Sequence, residues 1–105
     1  MTAKEFILGL PAKAKPEALE GLATNFHFNV EGDGGGEFTV SIADGVMKAT
    51  EGLEGDAKCT VSASASNLMG TIRGDINPMM AVLTGKIKIS NQGEMMKYAK
   101  LFGLM

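Results

Sequence analysis

Tryptophan is absent, and the 105 residues hold one cysteine, one histidine and three prolines. The lone Cys59 excludes an internal disulfide and a cysteine-based zinc site, and it is mildly favourable to a reducing compartment, so a cytoplasmic location is expected. One His and one Cys cannot assemble a nucleophile–base pair or a metal constellation, so no enzymatic activity, metal or cofactor is expected. The ten basic and twelve acidic residues are mixed along the chain for a net charge of −2, without the basic clusters that nucleic-acid binding requires. No apolar run approaches the ~20 residues that span a bilayer. The start Met1-Thr2-Ala3-Lys4-Glu5 lacks the layout of a secretory signal, and Gly103-Leu104-Met105 is not a peroxisomal tripeptide.

What is present fits one domain over residues 1–105, with fourteen glycines that predict many tight turns. Thr2 and Glu5 have capping-box spacing, and Phe6, Ile7 and Leu10 continue at helical spacing until Pro11 interrupts them. Pro16, at a first-turn position before Ala18, Leu19 and Leu22, predicts a further short helix. From Thr24 to Val30 the period becomes two, with Phe26, Phe28 and Val30 on one face and Asn25, His27 and Asn29 on the other. The loop from Glu31 to Gly36 leads into a second strand with Phe38, Val40 and Ile42 inward. Asp44-Gly45 is a two-residue hairpin signal that pairs Ile42 with Met47 and Val40 with Ala49. A fourth strand over 57–63 points Ala57, Cys59, Val61 and Ala63 inward, and a fifth points Ile87 and Ile89 inward. One sheet face is expected to be wet throughout.

Between the last two strands lies a helical crossover. Ser66 caps a run containing Leu68, Met69 and Ile72, and Asn77 caps a second helix with Pro78 at its first position. Asn91 and Glu94 open a last helix in capping-box spacing, which runs to the end of the chain. At 100° per residue this helix spreads Met95, Met96, Tyr98, Ala99, Leu101, Phe102 and Met105 over about 220°, leaving a wedge around Lys97 and Lys100. A stripe of roughly 100° suffices to pack on a sheet, so the surplus must meet other helices, a partner chain or a ligand. The small inward residues Ala49, Ala57, Cys59 and Ala63 would leave volume above the sheet, and six of the eight methionines lie after Asn67. Methionine adapts to varied apolar partners and also fills irregular gaps, so periodicity leaves a cavity and a dry core equally open.

The remaining chemistry-bearing groups have simpler readings. The Gly-rich loop joins two antiparallel strands and matches no phosphate-binding motif, so it is read as a mobile hairpin loop. His27 falls on the polar strand face, Cys59 behaves as a small buried hydrophobe, and Glu51, Glu54 and Asp56 sit in a solvated turn whose spacing fits no calcium loop. Lys86, Lys88, Lys97 and Lys100 could meet a phosphate or an anionic membrane, but outward lysines on sheet edges are also routine protection against aggregation, the reading favoured for Lys86 and Lys88.

Gly74-Asp75-Ile76-Asn77-Pro78, a short helix, and then Gly85-Lys86-Ile87-Lys88-Ile89 before a C-terminal helix resemble the sterol carrier protein 2 (SCP-2) domain family. The order of elements is similar over essentially the whole chain. The resemblance implies an α+β fold, with a five-stranded, mostly antiparallel sheet and helices packed on one face around an apolar tunnel. It implies a non-catalytic lipid carrier for fatty acid, fatty acyl-CoA or sterol. Carried over by position, the tunnel wall comprises Met79, Met80, Val82 and Leu83 from the crossover and Met95, Met96, Tyr98, Ala99 and Phe102 from the last helix. Leu68, Met69 and Ile72 complete the expected ligand-binding set. Val82 stands where an aromatic residue is common in the family, which bears on tunnel shape, and Ser90-Asn91 replaces the usual Gly. The expected partners are the lipid and a transient membrane contact, with the chain a monomer or weak dimer. The alternative is an assembly module that docks its apolar C-terminal helix on a partner subunit or enzyme.

Overall fold

Thr2 and Glu5 close the expected capping box. The Thr2 side chain accepts the Glu5 N–H at 3.1 Å, and the Glu5 carboxylate accepts the Thr2 N–H at 2.9 Å, so α1 (Ala3–Leu8) starts with two of its orphan amides satisfied. The computed structural model describes residues 1–103. Pro11 does not end the helical region as the pattern suggests. It lies in the first turn of α2 (Leu10–Lys13), where its missing N–H costs nothing, and Pro16 opens α3 (Pro16–Leu19) in the same way.

The five strands are β1 (Thr24–Glu31), β2 (Gly36–Ala43), β3 (Val46–Glu51), β4 (Cys59–Ser64) and β5 (Ile87–Ile89), in the order β3-β2-β1-β4-β5. Every neighbouring pair is antiparallel except β1 and β4. The Asp44-Gly45 turn takes positive φ at both residues, 53° and 75°, and sets the register Ile42 to Met47 and Val40 to Ala49. β4 begins at Cys59 rather than Ala57, with the Lys58 N–H donating to the Asn25 carbonyl at 2.8 Å just before it. Phe26, Phe28, Phe38, Val40, Ile42, Cys59 and Val61 are buried on the face that the helices cover.

The opposite face is not wet throughout. β3 and β4 are parallel strands with β2 and β1 between them, so the connection 52–58 must cross the sheet. It lies over polar residues of β1 and β2. The Thr39 hydroxyl donates to the Gly52 carbonyl (2.7 Å) and accepts the Glu54 N–H (2.8 Å), Asn25 Nδ2 donates to the Glu54 and Asp56 carbonyls, and His27 Nε2 lies 2.8 Å from the Glu54 carbonyl. His27 and Asn25 are thus half-buried and Thr39 is buried. The Gly-rich loop is also held. The Lys4 N–H donates to the Gly34 carbonyl at 2.8 Å, and a Cβ at Gly34 would stand 2.9 Å from Thr2 Cβ.

α4 (Ala65–Ile72) is capped by Ser64, whose side chain accepts the Asn67 N–H at 3.0 Å, and not by Ser66, which is already the second residue of the helix. α5 (Pro78–Leu83) follows its expected Asn77 cap and Pro78 start. α6 (Gln92–Tyr98) is shorter than its apolar pattern, although Phe102 N–H still donates to the Tyr98 carbonyl at 3.1 Å in the turn beyond it. Met105 lies outside the described residues. Asn91 caps α6 through the Glu94 N–H, but the Glu94 carboxylate does not reach back to complete a box. It accepts the Thr24 hydroxyl at 2.6 Å instead, tying α6 to β1.

Tyr98 and Phe102 pack edge-on against Phe26, with ring centroids 5.6 and 4.9 Å away, and Phe102 also meets Phe28 at 5.6 Å. Removing the Phe102 ring empties the centre of this cluster, where it is 1% exposed. Phe102→Ala is expected to destabilise the fold by about 3–5 kcal/mol, read as a lower urea midpoint at unchanged m-value.

Candidate functional site

Three short elements at the β5 edge build the site. Asn77 Oδ1 accepts the Met79 and Met80 N–H groups at 2.9 and 3.3 Å, which starts α5, and Ala81 alone of its side chains is fully buried. β5 then adds to β4 with Ile87 opposite Ala63 and Ile89 opposite Val61. Ser90 and Asn91 secure the return: Ser90 Oγ accepts the Thr60 N–H at 2.7 Å, and Asn91 Nδ2 donates to the Lys58 carbonyl at 3.1 Å. These bonds give a physical role to the two residues that stand where the resemblance expects Gly.

Between these elements lies a cavity of about 510 Å³. α5 and its cap contribute Asn77, Pro78, Met79, Val82 and Leu83, and β5 contributes Ile87 and Ile89. Gln92, Met95 and Met96 of α6, Ala99 just after it and Thr71 of α4 complete the lining. No charged residue is among them. The Thr71 hydroxyl is spent on the Asn67 carbonyl at 2.8 Å and Asn77 Oδ1 on its helix cap, which leaves Asn77 Nδ2 and the Gln92 amide as the side-chain polar groups of the lining without such a bond among the described residues. Met79, Leu83 and Met96 are each more than 60% exposed, so the cavity opens to solvent between α5 and α6.

Of the residues expected to meet a ligand, Met79, Val82, Leu83, Met95, Met96 and Ala99 are brought together around this cavity. The others lie elsewhere. Leu68 and Met69 are buried in the core, Ile72 packs against it, Met80 projects from α5 into solvent, and Tyr98 and Phe102 belong to the aromatic cluster. Thr71, Asn77, Pro78, Ile87, Ile89 and Gln92 line the cavity without having been singled out. The inward alternation of Ile87 and Ile89 was the available signal.

The cavity does not stand over the small inward residues. Ala49, Ala57, Cys59 and Ala63 are absent from its lining, because α2 packs on β3 and α4 and α6 pack on β4. Small side chains there let the helices approach instead of leaving space. The broad apolar arc of α6 divides likewise: Tyr98 and Phe102 face the core, and Met95, Met96 and Ala99 face the cavity.

The family model of the SCP-2 sterol transfer family matches residues 4–105. Among solved structures, the chain is similar to the sterol carrier protein domain 2 of Helicoverpa armigera, with a TM-score of 0.74 and 23% identity over 96% of this chain and 84% of that one. It is similar to a palmitated protein of the same kind from Aedes aegypti, with a TM-score of 0.75 and 17% identity over 97% and 95% of the two chains. It also matches an inverting sec-alkylsulfatase from Pseudomonas sp., with a TM-score of 0.77 and 20% identity, over all of this chain but only 16% of the sulfatase. No curated protein sequence matches.

Cys59 lies outside the cavity lining, 1% exposed, with its thiol 3.5 Å from the Asn91 carbonyl. Burial pushes the thiol pKa above its ordinary value, since the thiolate would lose its hydration. At pH 8, Cys59 is expected to react with iodoacetamide far more slowly than a free cysteine and at the normal rate once urea unfolds the chain; rapid alkylation of the folded protein would contradict this burial.

Proposed function

Because the chain belongs to the SCP-2 sterol transfer family, we propose that it is a non-catalytic lipid carrier whose ligand, a fatty acid, fatty acyl-CoA or sterol, lies in the α5–β5–α6 cavity. The observation that carries this reading is the cavity itself. Its 510 Å³ falls within the range of roughly 300–1,000 Å³ typical of small-molecule sites, and its wall is apolar. Met79, Val82 and Leu83 contact the ligand from one side, and Met95, Met96 and Ala99 from the other. The palmitated state of the Aedes protein with this fold supports an acyl chain as occupant.

The fold also forms part of an alkylsulfatase, so the non-catalytic reading rests on the lining and not on the fold. That lining includes no Asp, Glu, His, Cys, Lys or Arg to carry a proton or attack a bond. The carrier is favoured over an assembly module because α6 spends Met95 and Tyr98, with Ala99 and Phe102 beyond it, inside its own chain, where each is at most 5% exposed. We take residues 1–105 as one cytoplasmic lipid-binding unit, a monomer or weak dimer. The single buried Cys59 fits a reducing compartment, and among the described residues no helix is long and apolar enough to cross a membrane.

Each methylene moved from water into the cavity contributes about 0.8 kcal/mol, so Kd is expected to fall about fourfold per added methylene until the chain outgrows the space. Native mass spectrometry and competition with a fluorescent fatty acid read this series. Val82→Trp should move the optimum to shorter chains by filling the α5 side of the cavity. Failure of the wild-type protein to retain or take up any lipid would overturn the carrier.

A further inference from the structure

The fold sorts the methionines sharply by exposure. Met79 and Met80 of α5 are 73% and 53% exposed and Met96 of α6 is 64% exposed, whereas Met47, Met69 and Met95 are at most 8% exposed. Position sorts the open ones again. Met79 and Met96 line the cavity from opposite helices, while Met80 and Met1 are exposed outside its lining. Met95 lines the same cavity at 5% exposure, so lining alone does not open a sulfur to solvent. Two thioethers therefore combine free access from water with a place in the apolar wall.

That combination has a chemical consequence, because a hydroperoxide oxidises the thioethers it can reach. The sulfur attacks one peroxide oxygen, and the S–O bond forms as the O–O bond breaks. Sulfur gives up two electrons, and from hydrogen peroxide the second oxygen leaves with both hydrogens as water. The product is methionine sulfoxide, a polar side chain that methionine sulfoxide reductases return to the thioether. The aliphatic neighbours Val82, Leu83, Ile87 and Ile89 do not undergo this step. Cys59, the one thiol, is 1% exposed and outside the lining, so it does not compete for the oxidant.

We propose that Met79 and Met96 form a peroxide-sensitive modification site whose reversible oxidation switches ligand binding off. In the empty protein both side chains stand in water, so a sulfoxide oxygen there keeps its hydration and the core, with Met47, Met69 and Met95 shielded, is untouched. An apolar ligand entering the cavity must strip that hydration, and the lost hydrogen bonds weaken its binding. The coupling is reciprocal: a ligand that prefers the thioether form also opposes oxidation, and by lying against Met79 and Met96 it shields their sulfurs. Met80 gains no such cover. The switch rests on the carrier reading, since it acts through the ligand.

Graded treatment with hydrogen peroxide, read by peptide mass spectrometry, tests it. Met79, Met80 and Met96 should gain oxygen well before Met47, Met69 and Met95, with the urea midpoint unchanged. Loading with palmitic acid beforehand should slow oxidation at Met79 and Met96 but not at Met80. Oxidation should weaken uptake of a fluorescent fatty acid by about tenfold, the effect of one polar oxygen left unpaired under an apolar ligand, and sulfoxide reductases for both epimers should restore it. Measured as the ratio of affinities before and after peroxide, the response should persist in Met80→Leu and vanish in the double variant Met79→Leu, Met96→Leu. Oxidation of Met79 and Met96 no faster than of Met69, a lowered urea midpoint, or a response that survives in the double variant would overturn the switch. Uptake that oxidation leaves unchanged would overturn the switch alone, whereas no uptake by the untreated protein would overturn the carrier and the switch with it.

Discussion

The contact on which the site depends is the aromatic junction between β1 and the end of α6. α6 has seven residues, too few to hold a helix on its own in water, so its place is set by what it packs against. Tyr98 and Phe102 meet Phe26 and Phe28 with T-shaped contacts, and the Tyr98 hydroxyl donates to the Ala23 carbonyl at 3.3 Å. Thr24 and Glu94 add a charge-assisted bond one turn earlier. With that side of the helix committed to the sheet, the rotation of α6 is fixed. Met95, Met96 and Ala99 are left to form the cavity wall. The core contact thereby decides the geometry of the binding surface.

Much of the fold was legible because it is governed by local rules. Alternation in Phe26, Phe28 and Val30 and the Asp44-Gly45 turn needed only neighbouring residues to be read, and strand register followed from them. Asn77-Pro78 was equally local. The errors arose where distant groups compete. Ser66 is a sound cap in sequence, but β4 ends at Ser64 and the helix starts directly after it, so Ser64 takes the cap. Glu94 has capping-box spacing but meets a stronger partner in Thr24, seventy residues away. Alternation alone predicts a wet polar sheet face, because nothing local says that the parallel placement of β4 sends the connection 52–58 across it.

The candidate site was legible in part for the same reason. Met79, Val82 and Leu83 come from one helix, and Met95, Met96 and Ala99 from one stretch, so family position and periodicity located them. Those cues do not say which side of α6 the aromatic cluster claims, and so they place Tyr98 and Phe102 with the wall. Inferring volume from small residues failed for a related reason. In a close-packed interior, small side chains let neighbours approach, and space persists only where no element arrives to fill it. β5 has only three residues, and α5 reaches the core with Ala81 alone, so the gap opens there.

The size of that gap constrains its state. At about 24 cal/mol per Å³, a sealed and dry void of 510 Å³ would cost about 12 kcal/mol, comparable to the whole stability of about 5–15 kcal/mol of an ordinary domain. A chain of this size cannot carry such a void, so the space must be open to water or filled. The exposed Met79, Leu83 and Met96 show how it stays open. Leaving apolar side chains in water is unfavourable, but less so than leaving their inner surfaces in a vacuum. A ligand that enters removes both kinds of exposed surface at once. The methionines suit this exchange, because an unbranched thioether can lie against a lipid or fold over an empty mouth at little rotamer cost. The same exposed side chains that keep the empty cavity from collapsing the energy balance are therefore the ones that a ligand in the cavity would cover.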